Sequence, residues 1–331
     1  MPHLSVVVPA FNEQGNLGLL HQRLSAALSA CTDSYEILFI DDGSRDGTLD
    51  VIRGLATHDP RVRFLSFSRN FGHEIATTAG LDHAAGDAVI LIDADLQDPP
   101  ELIPEMVKKW REGAAVVYAR RRHRPGESAF KRTSAYLFYR LINRLSDTAI
   151  PHDTGDYRLM DRRVVEAVKS CRENPRFIRG LVSWVGFRQE AVLYDRDERH
   201  AGKTNYGFFK LLRLALEAIS AFSLKPLKLT AWLGVATIAL SVVLSIVIVI
   251  QRLFFKTNML EGYAFLACSI FFLGGVQLTM LGILAHYLGS VFTHSLNRPL
   301  YIVAEQDGGH AGNTPTPSIR TPATSKPARE P

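Results

Sequence analysis

Two long stretches free of Asp, Glu, Lys and Arg, Leu229–Ile250 and Tyr263–Asn297, constrain this chain more than anything else in it. Each exceeds the roughly 20 apolar residues that cross a hydrocarbon core. A buried hairpin of that length would need a far larger domain around it than the rest of the chain supplies. The expectation is a pair of transmembrane helices at about 229–251 and 263–289, within a segment 227–292. A transporter would mark its path with ionisable residues in the spans, and these carry no Asp, Glu, Lys or Arg. The two runs also explain why a chain with 21% charged residues has a mean hydropathy of +0.03.

The N-terminal run MPHLSVVVPAFNE is short, ends at Pro9 and lacks a basic lead-in, so it does not read as a signal peptide. The first 206 residues are therefore expected in the cytosol, and two spans return the tail, 293–331, to the same side. Lys210, Arg213, Lys225 and Lys228 before the first span outnumber Arg252 and Lys256 in the connecting loop, which agrees with that orientation. Cys31, Cys171 and Cys268 show neither metal nor disulfide spacing, as suits a reducing compartment. The expected location is the inner (plasma) membrane, multi-pass, with the catalytic domain cytosolic. A net charge of +5 and a pI near 9.1 then suit lipid headgroups or a phosphorylated substrate. No zinc-finger or RNA-binding signature is present, and nucleic acid is not expected as a partner.

The first 120 residues alternate short β-branched runs with helical stretches. Strands are expected at Ser5–Val8, Ile37–Ile40, Arg63–Phe67, Ala88–Ile92 and Ala115–Tyr118. Helices are expected near Asn16–Ala30, Thr48–Ala56, Glu74–Ala85 and Glu101–Glu112. This implies an α/β fold, Rossmann-like, with a mainly parallel sheet covered on both faces. Ligands of such sheets bind beyond the carboxyl ends of the strands. Residues from about 125 to 205 carry no clear pattern. Gly207–Pro226 reads as an interfacial amphipathic helix or, alternatively, a surface helix of the domain. The end of the chain is rich in Gly, Pro, Thr and Ser, and disorder is expected from about residue 306.

IDADLQDPPE, Ile92–Glu101, puts Asp93 and Asp95 at a strand end with Gln97 two positions on. Hard oxygen ligands at that spacing suit Mg2+ or Mn2+ shared with a substrate diphosphate. IDDGSRDGT, Ile40–Thr48, places Asp41 and Asp42 after another strand. Its spacing suits equally a helix-capping turn and an acceptor for a base or ribose. In VPAFNE, Glu13 stands either as a ribose ligand or as a cap. No G-x-G-x-x-G accompanies them, so a dinucleotide cofactor is not expected.

VVVPAFNE, FIDDGSRDGT, SRNFGHE, GDAVILIDADLQDPPE and GDYRLMDR, in that order, resemble a family 2 glycosyltransferase with the GT-A fold. Over residues 3–304 the chain is most similar to the polyprenyl-phosphate glycosyltransferases, a group that includes dolichol-phosphate mannose synthase and bacterial undecaprenyl-phosphate glucosyltransferases. The resemblance implies a nucleoside pocket of Pro9, Phe11, Glu13, Ile40 and Asp42. Asp93, Ala94, Asp95 and Gln97 would meet the metal and diphosphate, and Arg120 the donor phosphates or sugar. Asp156 would stand at the catalytic-base position, and Lys131, Arg132 and Arg199 would receive the acceptor phosphate. One departure falls at GKTNY, where Asn205 replaces a lysine that relatives often carry; Lys203 is the substitute there. The implied reaction is transfer of a hexose, glucose from UDP-glucose foremost, to a polyprenyl phosphate by a homo-oligomer, a tetramer by resemblance. Another sugar, or a catalytically silent membrane scaffold of the same fold, is the alternative. A processive polysaccharide synthase would carry Q-x-x-R-W and more spans.

Overall fold

A computed structural model describes residues 4–121, 154–173, 176–194, 225–255, 263–307 and 309–310. All five expected strands form: β1 (Leu4–Ala10), β2 (Tyr35–Asp41), β3 (Val62–Phe67), β4 (Ala88–Leu91) and β5 (Val116–Arg121). The four expected helices lie between them: α1 (Leu17–Ser29), α2 (Thr48–His58), α3 (His73–His83) and α4 (Ile103–Arg111), the last entered through a short 3-10 turn. The unpatterned region contributes β6 (Thr154–Asp161), α5 (Arg162–Ser170), α6 (Ile178–Trp184) and β7 (Gln189–Tyr194). With β8 (Val303–Gln306) and β9 (Gly309–His310), the sheet order is β7-β5-β6-β4-β1-β2-β3-β8-β9, and only β6 and β8 run against the rest.

Alternation along the strands splits the core in two. Val6 and Val8 of β1 face Leu17, Leu20 and Leu24 of α1 and Met106 of α4, whereas Val7 faces Ala76 and Ala79 of α3. Both faces are thus covered, which is why the central strands read as continuous apolar runs. Helix α3 lies unusually close to the sheet. A Cβ placed on its Gly80 would stand 2.0 Å from Cγ1 of Val7, so only glycine fits there. That close approach fixes the position of His73, the first residue of α3.

The chain after α8, which ends at Ser295, returns to the sheet. Val303–Gln306 forms β8, paired antiparallel with β3, and Gly309–His310 forms β9. Arg53 grips Glu305 with two hydrogen bonds of 2.9 and 2.6 Å, and Arg63 reaches Asp307 at 3.1 Å. The sheet therefore includes residues well beyond 206.

Helices α7 (Lys225–Phe255) and α8 (Tyr263–Ser295) contain the two expected apolar spans and touch one another. At 1.5 Å per residue they are each longer than about 45 Å. Phe272–Thr293 is long and apolar enough to cross a membrane, while the corresponding stretch of α7, Trp232–Val243, is shorter. Trp232, Leu240, Phe272 and Leu278 are all exposed. The interfacial segment expected at 207–226 lies outside the described residues apart from its last two.

Candidate functional site

Strand register builds the site. Antiparallel β4 and β6 pair Ala88 with Asp161, Val89 with Met160, Ile90 with Leu159 and Leu91 with Arg158. Continued two residues further, the same register sets Asp93 against Asp156. Two acids 63 positions apart in the chain thus meet at the edge where the strands end.

His73 stands between them. Its Nε2 lies 3.5 Å from Asp93 Oδ1 and 3.5 Å from Asp156 Oδ2. The ligand atoms of the three residues lie within 4.8 Å of one another. Arg179, on the first turn of α6, donates to both oxygens of Asp156 at 2.6 Å each. Glu74, beside His73, accepts the backbone N–H of Ile178 at 2.9 Å and so ties α3 to α6. Arg158 lies buried beneath and donates to the carbonyls of Gly155 and Asp156.

The charges are strongly coupled. Burial would raise Asp156, yet the hydrogen bonds from Arg179 and His73 hold it well below the usual carboxylate range. Asp93 is pushed up to about 7, first by burial and then, against the pull of His73, by Asp156, Asp98 and Asp95. Burial works against protonation of His73, but Asp156 and Asp93 outweigh it and raise the imidazole to about 9. Burial, joined by the neighbouring Arg179 charge, lowers Arg158 to about 10 against the pull of Asp156 and Glu74.

The Asp93–Asp98 turn is held open by an uncommon backbone. Leu96 is buried in the left-handed region with φ of 60°, a conformation a branched side chain seldom takes. It lets the Gln97 N–H turn back to Asp95 Oδ1 at 3.1 Å. Tyr157 Oη donates to the Pro99 carbonyl at 3.1 Å, and Tyr194 Oη bonds Asp98, fastening the turn to β6 and β7. Ala94 is buried.

Asp93, Asp95 and Gln97 offer hard oxygens on one turn, and the crowding of carboxylates that raises Asp93 is the excess negative charge a cation relieves. These residues fit Mg2+ or Mn2+.

The loop after β1 and the loop after β2 are laced into one platform. Asn12 N–H donates to Ser44 Oγ, Arg45 N–H to Asn12 Oδ1, Glu13 N–H to Thr48 Oγ1 and Gly47 N–H to Gln14 Oε1, at 2.8–3.0 Å. Phe11 is 41% exposed on this platform. Glu13 accepts at 2.6 Å from Nδ2 of Asn16, the residue that precedes α1. Pro9 and Ile40 are direct partners across β1 and β2, and both are buried. Ile40 is fully enclosed in the α3-side core, so it supports the platform from below. Asp42 is buried as well. It accepts from Phe71 N–H at 2.6 Å, Gly72 N–H at 2.9 Å and Asn70 Nδ2 at 2.9 Å, and in this geometry it holds the loop that delivers His73.

Arg120 is exposed near the end of β5, opposite Thr154 of β6. Lys131, Arg132, Arg199, Lys203 and Asn205 lie outside the described residues. Sequence reasoning assigned no role to His73, Glu74, Arg158 or Arg179. His73 and Glu74 sit in SRNFGHE, where Gly72, with φ of 102°, precedes a helix start and was the available signal. Arg179 follows no local pattern.

A sheet of this order with acids gathered at one strand edge is a GT-A glycosyltransferase architecture. Residues 5–169 match the glycosyl transferase family 2 profile. An uncharacterized glycosyltransferase of Bacillus subtilis is 45% identical over 304 residues, 92% of this chain and 94% of that protein. The bactoprenol glucosyl transferase of Shigella phage SfV is 43% identical, over 92% of this chain and 98% of its own length. A prophage bactoprenol glucosyl transferase homolog of Escherichia coli is 42% identical over 91% and 98%. A solved glucosyl-3-phosphoglycerate synthase of Mycobacterium tuberculosis is 22% identical over 66% of this chain with a TM-score of 0.45, too distant to bear on substrate. The chain belongs to glycosyl transferase family 2.

Proposed function

We propose that this enzyme transfers glucose from UDP-glucose, with inversion, to undecaprenyl monophosphate at the cytosolic membrane face. The observation that carries the reading is the pairing of Asp93 with an Arg179-clamped Asp156 across the β4–β6 register. It sets a donor-side acid beside an acceptor-side acid. Relatives named as bactoprenol glucosyl transferases support the sugar and the lipid. The exposed apolar surface of α7 and α8 supports a two-helix membrane hairpin, because such a surface calls for hydrocarbon around it. A homo-oligomer is part of this reading by resemblance.

In the reaction an acceptor phosphate oxygen forms a bond to the anomeric carbon. The bond from that carbon to the diphosphate oxygen breaks, and its electron pair leaves with UDP. Asp93, Asp95 and Gln97 would hold the divalent ion, which when bound supplies charge neutralisation to the leaving diphosphate. Phe11 and Glu13 line the nucleoside side, with Pro9, Ile40 and Asp42 supporting them, Ala94 lies at the diphosphate, and Arg120 meets the donor. Lys131, Arg132, Arg199 and Lys203 receive the acceptor phosphate.

A phosphate monoester has a second pKa near ~6, so the nucleophile is already largely ionised at neutral pH. Asp156 has little proton to remove, and the bidentate arginine makes it a poor base. Its role is to orient the acceptor and to stabilise positive charge on the sugar ring.

The test uses the full chain in detergent micelles with undecaprenyl phosphate, a panel of nucleotide sugars, and either Mg2+, Mn2+ or EDTA. Lipid-linked sugar is the readout. Glucolipid from UDP-glucose, abolished by EDTA, is expected. Faster product from GDP-mannose or another donor would reassign the sugar, and no lipid product from any donor would overturn the proposal.

A further inference from the structure

The segment that returns from α8 to the sheet does more than complete it. Residues 296–302 connect the end of α8 to β8. Within them Tyr301 stacks on Phe67, the last residue of β3, with centroids 5.2 Å apart and planes 18° from parallel. Phe67 in turn meets Phe71 edge-on at 5.6 Å. The Ile302 carbonyl accepts the N–H of Ser68 at 3.0 Å, where the β3–β8 register shifts at the strand end. Tyr301 Oη donates to Asp82 on α3 at 3.1 Å, and Arg172 holds the same carboxylate at 2.8 and 2.9 Å.

These contacts converge on one loop. Ser68 begins it, Phe71 and Gly72 pin it to Asp42, and His73 ends it between Asp93 and Asp156. We infer that Leu300–Gln306 is a strap that positions the Ser68–Gly72 loop, with Tyr301 as its clasp, so that α8 and the acid cluster behave as one mechanical unit. Tyr301 is a positioning residue: it acts through Phe67 and Phe71 and touches none of the acids. The inference takes the acid cluster as the reaction site proposed above.

Three full-length variants test it: Tyr301→Ala, Tyr301→Phe and, at the far end of the strap, Glu305→Gln. Backbone amide exchange at Phe71 and Gly72 is read together with kcat and KM for UDP-glucose. Tyr301→Ala is expected to speed exchange at those two amides about tenfold and to lower kcat about tenfold through misplacement of His73. Amides of β1 and α1 should not change. Tyr301→Phe keeps the stacked ring and should restore both readouts, whereas Glu305→Gln should leave both alone. If Tyr301→Ala does not fold, Tyr301→Leu, which fills the volume without a ring face, carries the same expectation. Unchanged exchange at Phe71 and Gly72 in Tyr301→Ala overturns the inference, as does an equal loss in Glu305→Gln. The exchange readout holds whatever sugar is transferred, so failure of UDP-glucose as donor leaves it decisive.

Discussion

Two acid pairs stand at strand ends on either side of β1, Asp41–Asp42 at the end of β2 and Asp93 with Asp95 after β4. In sequence they look alike. In the folded chain Asp42 is surrounded by donors, two backbone amides and an asparagine, while Asp41 takes Ser44 N–H and Ser66 Oγ. Asp93 faces other carboxylates and a histidine. Burial raises the carboxyl of both Asp42 and Asp93, but at Asp42 the amides pull it back, whereas at Asp93 neighbouring acids push it further, to about 7. An acid wrapped in donors holds a loop in place. An acid set among acids is poised for a cation.

That contrast can be broken by experiment. Asp93→Asn and Asp95→Ala should each cost turnover about 10³-fold, measured as lipid-linked product. Because Asp93 sits among like charges, Asp93→Asn should leave Tm equal or higher. A mutant that is active in EDTA would erase the distinction. Asp156→Asn should lose about 10²-fold in rate. Since Arg179 keeps Asp156 ionised across neutral pH, the mutant-to-native ratio should stay flat from pH 6 to 8. A ratio that recovers toward higher pH would restore a proton-transfer role. Asp42→Asn should show the opposite split, a loss of about 1–3 kcal/mol in stability with measurable turnover retained.

The smallest effect lies far from both pairs. Hydrogen bonds from Arg61 lower Asp59 to about 2 despite its burial, with a further bond from His21. A depressed carboxyl stabilises the fold above its unfolded pKa of ~4 and loses that contribution as pH falls toward the folded value. Asp59→Asn should therefore lower Tm at pH 7, and the gap from the native chain should close between about pH 4 and pH 2. A gap that persists at low pH would assign the loss to packing.

The parallel half of the sheet was legible because each of its strands is a local apolar run closed by a local turn. Asp93 and Asp95 were legible for the same reason, since strand and acids adjoin. Asp156 was reached only through resemblance: its partner is set by an antiparallel register that no local pattern announces. His73 and Arg179 arrive from two helix starts on one face of the sheet, and their meeting depends on how closely α3 settles over Val7. Strand β8 was missed because V-A-E-Q alternates weakly and its partner lies more than 230 residues earlier. Ile40, expected at the nucleoside pocket, has its side chain fully buried in the core beneath that platform.

The β4–β6 ladder has one more consequence. Strand pairing moves in whole residues, so the spacing between Asp93 and Asp156 comes in fixed steps, like notches on a rule. Slipping the rule by one notch would turn Asp156 to the opposite face. The side chains around Asp93 and Asp156 can change one at a time, while the spacing of the two acids can change only in whole steps.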